Sequence, residues 1–96
     1  MITHVVCMKL KDRSPEAAAL IRDRLMTLPA KIPQIRHFEV GINIVESARA
    51  HDLALIARFD SLDDLSLYAS HPDHLDVLTL IRPALETSVA VDYESG

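Results

Sequence analysis

Five consecutive apolar residues, Leu53–Ala57, are the feature that most limits how this chain can fold. Successive side chains of a β-strand point to opposite faces of its sheet, so this segment carries apolar surface on both faces. Val5, Cys7 and Ala90 are expected to add to the second face. The chain has 96 residues, which predict one domain, 1–96, with too few helices to cover two faces. An exposed apolar sheet face marks an interface, so the sequence predicts a homodimer with its two sheets packed face to face.

The order of the expected elements indicates the fold class. Apolar patterns predict strands at 2–10, 35–45, 52–59 and 87–93, and helices at 15–28, at 62–70 and from 72 onward. The resulting β-α-β-β-α-β order is typical of the ferredoxin-like α+β fold, a four-stranded antiparallel sheet with helices on one face. We expect the dimer of such domains to form a barrel-like shared core. Gly41, inside the second strand, indicates a bulge or the close approach of another segment.

Charge and composition argue against several classes of partner. The formal net charge is -4 and the basic residues are scattered, so neither nucleic acid nor an anionic membrane surface is an expected partner. No apolar run reaches transmembrane length, and no signal-peptide pattern is visible at the start of the chain. Cys7 is the single cysteine, which suits a reducing compartment. We therefore expect a cytoplasmic protein.

The segment 67–74 concentrates polar chemistry that the rest of the chain lacks. It holds Tyr68, His71 and His74 around Pro72. A proline pushes the residue before it out of the helical region and suits the first position of a new helix. The sequence therefore predicts two short helices that meet at this break. Such a break can direct Tyr68 and His74 into one cleft.

Two further interpretations of these histidines follow from local chemistry. His71 directly precedes Pro72, where its ring can cap the second helix instead of contacting a ligand. His71 and His74 are three residues apart, a spacing that two metal ligands can have, but no carboxylate or cysteine obviously completes a set. We therefore expect no metal and no cofactor. On the first strand, His4, Val6 and Met8 share one face by parity. His4 is then either a core histidine with a partner or a residue that contacts a ligand.

The chain resembles the stress-responsive A/B barrel (Dabb) family over nearly its whole length. The Tyr-x-x-His-Pro-x-His frame of residues 68–74 carries the resemblance most specifically. Other matching segments are 4–11, 32–35, 39–43, 52–55, 59–61, 81–83 and 91–93. Members of the family resemble one another in forming dimeric α+β barrels. The resemblance therefore implies the same assembly as the argument from the two-faced strands.

The resemblance also implies roles for individual residues. Cyclase members of the family close a linear polyketide by an aldol reaction, and their catalytic tyrosine and histidine match Tyr68 and His74. A cavity histidine on their first strand matches His4, so we expect His4, Val6, Met8 and His71 to line a ligand site. An aldol closure needs a base beside a carbonyl and a donor for the enolate oxygen. Neutral imidazole and a tyrosine hydroxyl can supply these two groups.

Three classes of function are therefore open at the level of sequence. The first is a Dabb-type, stress-related dimer whose small apolar cavity binds a small hydrophobic molecule, with no established reaction. The second is a polyketide cyclase or lyase that acts on a small hydrophobic carbonyl compound and uses Tyr68 and His74. The third is a cofactor-free monooxygenase, because other dimeric α+β barrels resemble such enzymes. We favour the first class, because the family's signature is present while the pocket of the cyclase members is only partly present.

Overall fold

Alternating strand patterns and well-capped helices build one four-stranded antiparallel sheet with helices on one face. The computed structural model describes all 96 residues. The strands are β1 (Ile2–Leu10), β2 (His37–Ile42), β3 (Leu53–Phe59) and β4 (Leu85–Glu94), in the spatial order β2-β3-β1-β4. The helices are α1 (Pro15–Leu25), α2 (Leu62–Ser70) and α3 (Pro72–Ile81), followed by a 3-10 turn at Arg82–Ala84. This arrangement confirms the ferredoxin-like α+β fold.

Local hydrogen bonds explain where the helices begin. Ser14 starts α1 by accepting a hydrogen bond from the Ala17 backbone N–H at 3.2 Å, and Ser61 starts α2 through the Asp64 N–H at 3.2 Å. Such side-chain acceptors satisfy backbone donors that have no partner within the helix. None of the three helices combines the length and the hydropathy that a membrane span requires.

Some element boundaries differ from the sequence prediction. Helix α1 ends at Leu25 and not near Leu28, although Leu28 is fully buried. Leu28 packs into the core from a turn, where its N–H bonds to the Leu25 carbonyl. Strand β2 is shorter than the predicted 35–45, and Gly41 pairs with Ala54 without a bulge. The spacing of apolar residues in the sequence therefore did not distinguish the last turn of a helix from a turn that packs into the core.

Strand register divides the sheet into a helix side and an open side. The helix side carries the main core, which includes Leu55, Phe59 and Met8, packed against α1, α2 and α3. Directly opposite residues share a face in antiparallel pairs, and Val5 lies opposite Ile56 and Val91. We call the surface that faces away from the helices the open face. It carries Thr3, Val5, Cys7, Lys9, His37, Glu39, Gly41, Ala54, Ile56, Arg58, Thr87, Val89, Val91 and Tyr93.

One residue was assigned to the wrong face by the sequence prediction. Ala90 pairs with Val6 and therefore lies on the helix side. Its neighbours Val89 and Val91 are the β4 residues that make the open face apolar, and both are exposed in the protomer. The error arises because β4 is exposed along nearly its whole length, so its own pattern does not show which side faces the helices. The expectation of an apolar second face nevertheless holds.

Candidate functional site

The backbone break between α2 and α3 positions the candidate site. His71 has an extended conformation, with φ -62° and ψ 135°, and separates the two helices as expected from Pro72. Its Nδ1 accepts a hydrogen bond from the Asp73 backbone N–H at 3.1 Å. His71 therefore caps α3, one of the two roles that the sequence suggested. A contribution of its ring to ligand binding stays a prediction.

Tyr68 lies at the centre of the aromatic cluster that the break creates. Its ring centroid is 4.3 Å from that of His74 and 6.1 Å from that of His4. Phe59 and Phe38 pack against the same ring, at 5.0 and 6.5 Å. His4, Tyr68 and His74 therefore meet on the helix side of the sheet, as strand parity and the proline break predicted. Their roles in binding or catalysis stay predictions.

The side chain of His74 is held in one tautomer. Its Nδ1 lies 3.0 Å from the Ala69 carbonyl oxygen, which can only accept, so Nδ1 carries the hydrogen. The other ring nitrogen, Nε2, is then the acceptor of the neutral imidazole. Burial lowers the pKa of His74, and the nearby His4, Arg82 and His71 lower it further, while the Ala69 carbonyl opposes them. Burial is the largest of these causes, and it favours the neutral ring.

The lowered pKa predicts a specific dependence of stability on pH. The folded protein binds a proton at His74 less readily than the unfolded chain, whose His74 titrates near 6.5. The contribution of the neutral His74 ring to the free energy of unfolding is therefore fully present above pH 6.5. It is lost as the pH falls through 6.5 toward the pKa of His74 in the folded protein. We expect the free energy of unfolding of the wild type to fall more steeply between neutral and mildly acidic pH than that of His74→Gln.

Denaturant unfolding at fixed protein concentration measures this difference in slope. Ser66→Gln is the matched control, because it places a glutamine on the exposed surface of α2, away from the open face, and removes no titratable group. The control should retain the slope of the wild type. If the free energy of unfolding changed with pH equally in the wild type and in His74→Gln, the pH dependence could not be assigned to His74.

The aromatic cluster includes a carboxylate that the sequence analysis missed. His4 Nδ1 donates a hydrogen bond to Asp92 Oδ1, directly across the β1–β4 pair. A carboxylate only accepts, so the hydrogen of this bond lies on Nδ1 of His4. The His4 side chain is 17% exposed and that of Asp92 43% exposed, so this pair lies at the open edge of the cluster. Only the register between the first and last strands reveals the pairing.

The hydroxyl of Tyr68 has no hydrogen-bond partner within the protomer. The tyrosine residue as a whole is only 2% exposed. Every fully buried side-chain oxygen and nitrogen in the protomer has a hydrogen-bond partner, so the unpartnered Tyr68 oxygen is not fully buried. The hydroxyl oxygen therefore keeps a small solvent-accessible area, while the ring is sealed. Burial raises the pKa of Tyr68 to about 12, so the hydroxyl keeps its proton at neutral pH.

The protomer does not enclose the separate cavity expected between His4, Tyr68 and His74. Its three cavities, of about 390, 300 and 350 Å³, are lined by other residues. The Tyr68 ring fills the space between the two histidines. Val6 and Met8, expected to line the ligand site, are half-buried and buried contributors to the core. A ligand can therefore meet this cluster only at its edge or after side chains move.

Comparison with other proteins identifies the family. The profile of the stress-responsive A/B barrel domain (Dabb) matches residues 2–95. A stress-response A/B barrel domain-containing protein of Arabidopsis thaliana is 30% identical over 97% of this chain, which spans about a third (36%) of that relative. An uncharacterized protein of Streptomyces coelicolor is 33% identical over 98% of this chain and 99% of its own length.

Solved structures agree with these sequence relatives. A dimeric protein with a ferredoxin-like fold from Bacteroides fragilis is 35% identical, with a TM-score of 0.83 over 98% of this chain and 95% of its own. A dimeric ferredoxin-like protein from Thermobifida fusca is 30% identical, with a TM-score of 0.86 over 98% and 90%. A hydroxynitrile lyase from Passiflora edulis, 20% identical with a TM-score of 0.85 over 99% and 93%, shares the fold alone. The chain belongs to the stress-responsive A/B barrel domain family.

Proposed function

We propose that this Dabb protein is a homodimeric α+β barrel that binds a small hydrophobic carbonyl compound beside Tyr68. One observation carries the binding proposal: the Tyr68 hydroxyl has no partner in the protomer, although its ring is buried between His4 and His74. A protonated hydroxyl at the edge of an apolar cluster can donate a hydrogen bond to a carbonyl oxygen. The aromatic rings would contact the apolar part of the ligand.

The open face supports the homodimer. Val5 and Ile56 lie at its centre, and Val91 is 61% exposed beside them. A contiguous apolar sheet face of this kind is typical of an interface. The two dimeric relatives at 35% and 30% identity share the fold over nearly the whole chain. In a dimer with two-fold symmetry, each protomer would cover the open face of the other.

Proton abstraction next to the carbonyl is the second candidate function, and the state of His74 favours it. Its Nδ1–H is bonded to the Ala69 carbonyl, so Nε2 of the neutral ring can accept a proton. In an aldol-type closure, Nε2 would remove a proton from the carbon beside the carbonyl while Tyr68 donates to the enolate oxygen. The enolate carbon then attacks a second carbonyl of the same molecule, forming the ring bond. The proton on Nε2 is returned to the new alkoxide.

Binding can be tested with acetophenone, a small aromatic ketone, by NMR titration of the labelled protein. We expect the largest shift changes at residues around Tyr68 and His74, and Tyr68→Phe should weaken binding roughly three- to tenfold, the range for a lost hydrogen bond. Tyr93→Phe is the matched control, because it removes the hydroxyl of the other tyrosine, on the open face. Shift changes confined to other surfaces, or equal effects of the two variants, would contradict the proposed site.

Catalysis can be tested separately with the same compound in D2O. Exchange of the acetophenone methyl protons for deuterium reports proton abstraction directly. His74→Ala should return the exchange to the rate in buffer while the dimer and its melting temperature stay nearly unchanged. Tyr68→Phe should slow exchange less, because its ring still shapes the site. If the wild type does not accelerate exchange although it binds acetophenone, the binding function stands and the aldol-type candidate fails for this ketone class.

A further inference from the structure

A polar cavity lies at the end of the sheet opposite to the aromatic cluster. It measures about 300 Å³ and opens between the β1–α1 connection and the β2–β3 connection, both of which contribute to its lining. One lining residue, Asp52, accepts a hydrogen bond from the backbone N–H of Leu10 at the end of β1. Roughly 20 Å of strand separates Leu10 from His4 in the aromatic cluster. The cavity is therefore a separate place on the protomer.

An ion pair between the two connections fixes the shape of this cavity. Arg13 Nε donates to both carboxylate oxygens of Asp52, at 3.0 and 3.1 Å, and Arg13 Nη2 donates to the Ala50 carbonyl at 3.1 Å. The side chain of Asp52 is only 13% exposed. The backbone N–H of Asn43 donates to the Asp52 carbonyl at 2.9 Å and closes the base of the β2–β3 loop. The walls are therefore in place before a ligand arrives, which reduces the entropy lost on binding.

Hydrogen-bond donors without partners line the β1–α1 side of the cavity. Nη1 of Arg13 makes no hydrogen bond within the protomer, so both of its N–H groups are available. The Ser14 hydroxyl oxygen accepts from the Ala17 N–H, but the hydroxyl hydrogen has no acceptor. A guanidinium and a hydroxyl that both donate can bind one carboxylate together.

Acceptors without partners line the β2–β3 side of the cavity. The exposed carboxylate of Glu46 makes neither a hydrogen bond nor an ion pair within the protomer. Asn43 Nδ2 donates to the Val45 carbonyl at 2.9 Å, which leaves Oδ1 without a partner. Because Arg13 neutralises Asp52, Glu46 supplies the uncompensated charge of the lining. A carboxylate beside an amide oxygen suits an ammonium group.

Apolar side chains complete the lining between these two polar sides. They are Pro15, Ala18, Ile42 and Ile44. Ile44 is 94% exposed, so the protomer itself gives this side chain almost no apolar contact. Small-molecule sites range upward from roughly 300 Å³, so a cavity of this size suits a ligand of few heavy atoms. The ligand should therefore be small, with one anionic end, one cationic end and an apolar group.

We propose that this cavity binds an α-amino acid with an apolar side chain. Its carboxylate accepts hydrogen bonds from Arg13 and Ser14. Its ammonium group donates to Glu46 and Asn43, and its side chain packs against the apolar lining. This binding site is independent of the ketone site proposed at Tyr68, because the two places share no residue.

The first test is an NMR titration of the labelled protein with L-leucine and two analogues. 3-Methylbutylamine lacks the carboxylate, and 4-methylpentanoate lacks the ammonium group. We expect leucine to shift the amide signals of residues 13–18 and 42–52, and each analogue to bind roughly tenfold more weakly or worse, because each loses charge-assisted hydrogen bonds. Shift changes outside these segments, or none at all, would overturn the proposed site. Equal binding of either analogue would overturn the assignment of an amino acid.

The second test uses Glu46→Gln, which preserves the size of the side chain and removes its charge. Leucine and 3-methylbutylamine should bind roughly tenfold more weakly to this variant, whereas 4-methylpentanoate should not. Asp63→Asn is the matched control, because it removes one carboxylate charge from the exposed surface of α2 and should leave all three affinities unchanged. No effect of Glu46→Gln, or equal effects of the two variants, would overturn the contact between Glu46 and the ammonium group.

Discussion

Ile56→Glu is expected to convert the dimer to a monomer. Ile56 lies at the centre of the open face, opposite Val5 on one side and Glu39 on the other. The substitution would bury a carboxylate between two sheets and place it directly across from Glu39, where like charges repel. Light scattering at micromolar concentration should report the mass of one chain for the variant and of two chains for the wild type.

Two further variants separate loss of assembly from loss of folding. Leu80→Glu makes the same change on an exposed helical position and should remain dimeric. Val91→Glu lies on an edge strand that is exposed in the protomer, so it should dissociate the dimer while circular dichroism stays native-like. A wild type that scatters light as one chain, or an Ile56→Glu variant that stays dimeric, would show that the sheets do not form the interface.

Phe59→Ala is expected to have the largest effect on the stability of the protomer core. Phe59 is fully buried at the end of β3, and its ring packs 5.0 Å from that of Tyr68. Truncation of a buried phenylalanine to alanine costs roughly 3–5 kcal/mol, which is a large share of the stability of a domain this size. Denaturant unfolding at one fixed chain concentration gives the change in free energy, since dimerisation makes stability depend on concentration.

Phe38→Ala is the matched control for this prediction. Phe38 also packs against Tyr68, at 6.5 Å, but it is only half-buried on the edge strand β2. Its truncation should therefore cost clearly less than that of Phe59. A Phe59→Ala loss below about 1 kcal/mol, or one no larger than for Phe38→Ala, would mean that β3 does not carry the core under the tyrosine.

The local signals for helices and strands were strong because each depends on a few adjacent residues. Ser14 and Ser61 each cap a helix by accepting a hydrogen bond from the backbone N–H three residues later. Strand alternation placed His4 on the same side of the sheet as the core residue Met8. The end of α1 was less predictable. Leu28 continues the helical spacing of buried residues although it lies in a turn, and burial is set by neighbours distant in the chain.

The candidate site shows the division between sequence and tertiary structure most clearly. The sequence by itself determined that Pro72 interrupts the chain between Tyr68 and His74, because ring sterics act on the adjacent residue. Only the tertiary structure decided that Asp92 binds His4. The two residues are 88 positions apart in the chain, and the register between β1 and β4 brings them together. It also decided that the ring of Tyr68 fills the expected cavity, because occupancy of a space depends on packing from several elements at once. Neither the sequence nor the fold of one protomer decides what covers the open face; in the proposed homodimer, a second chain covers it.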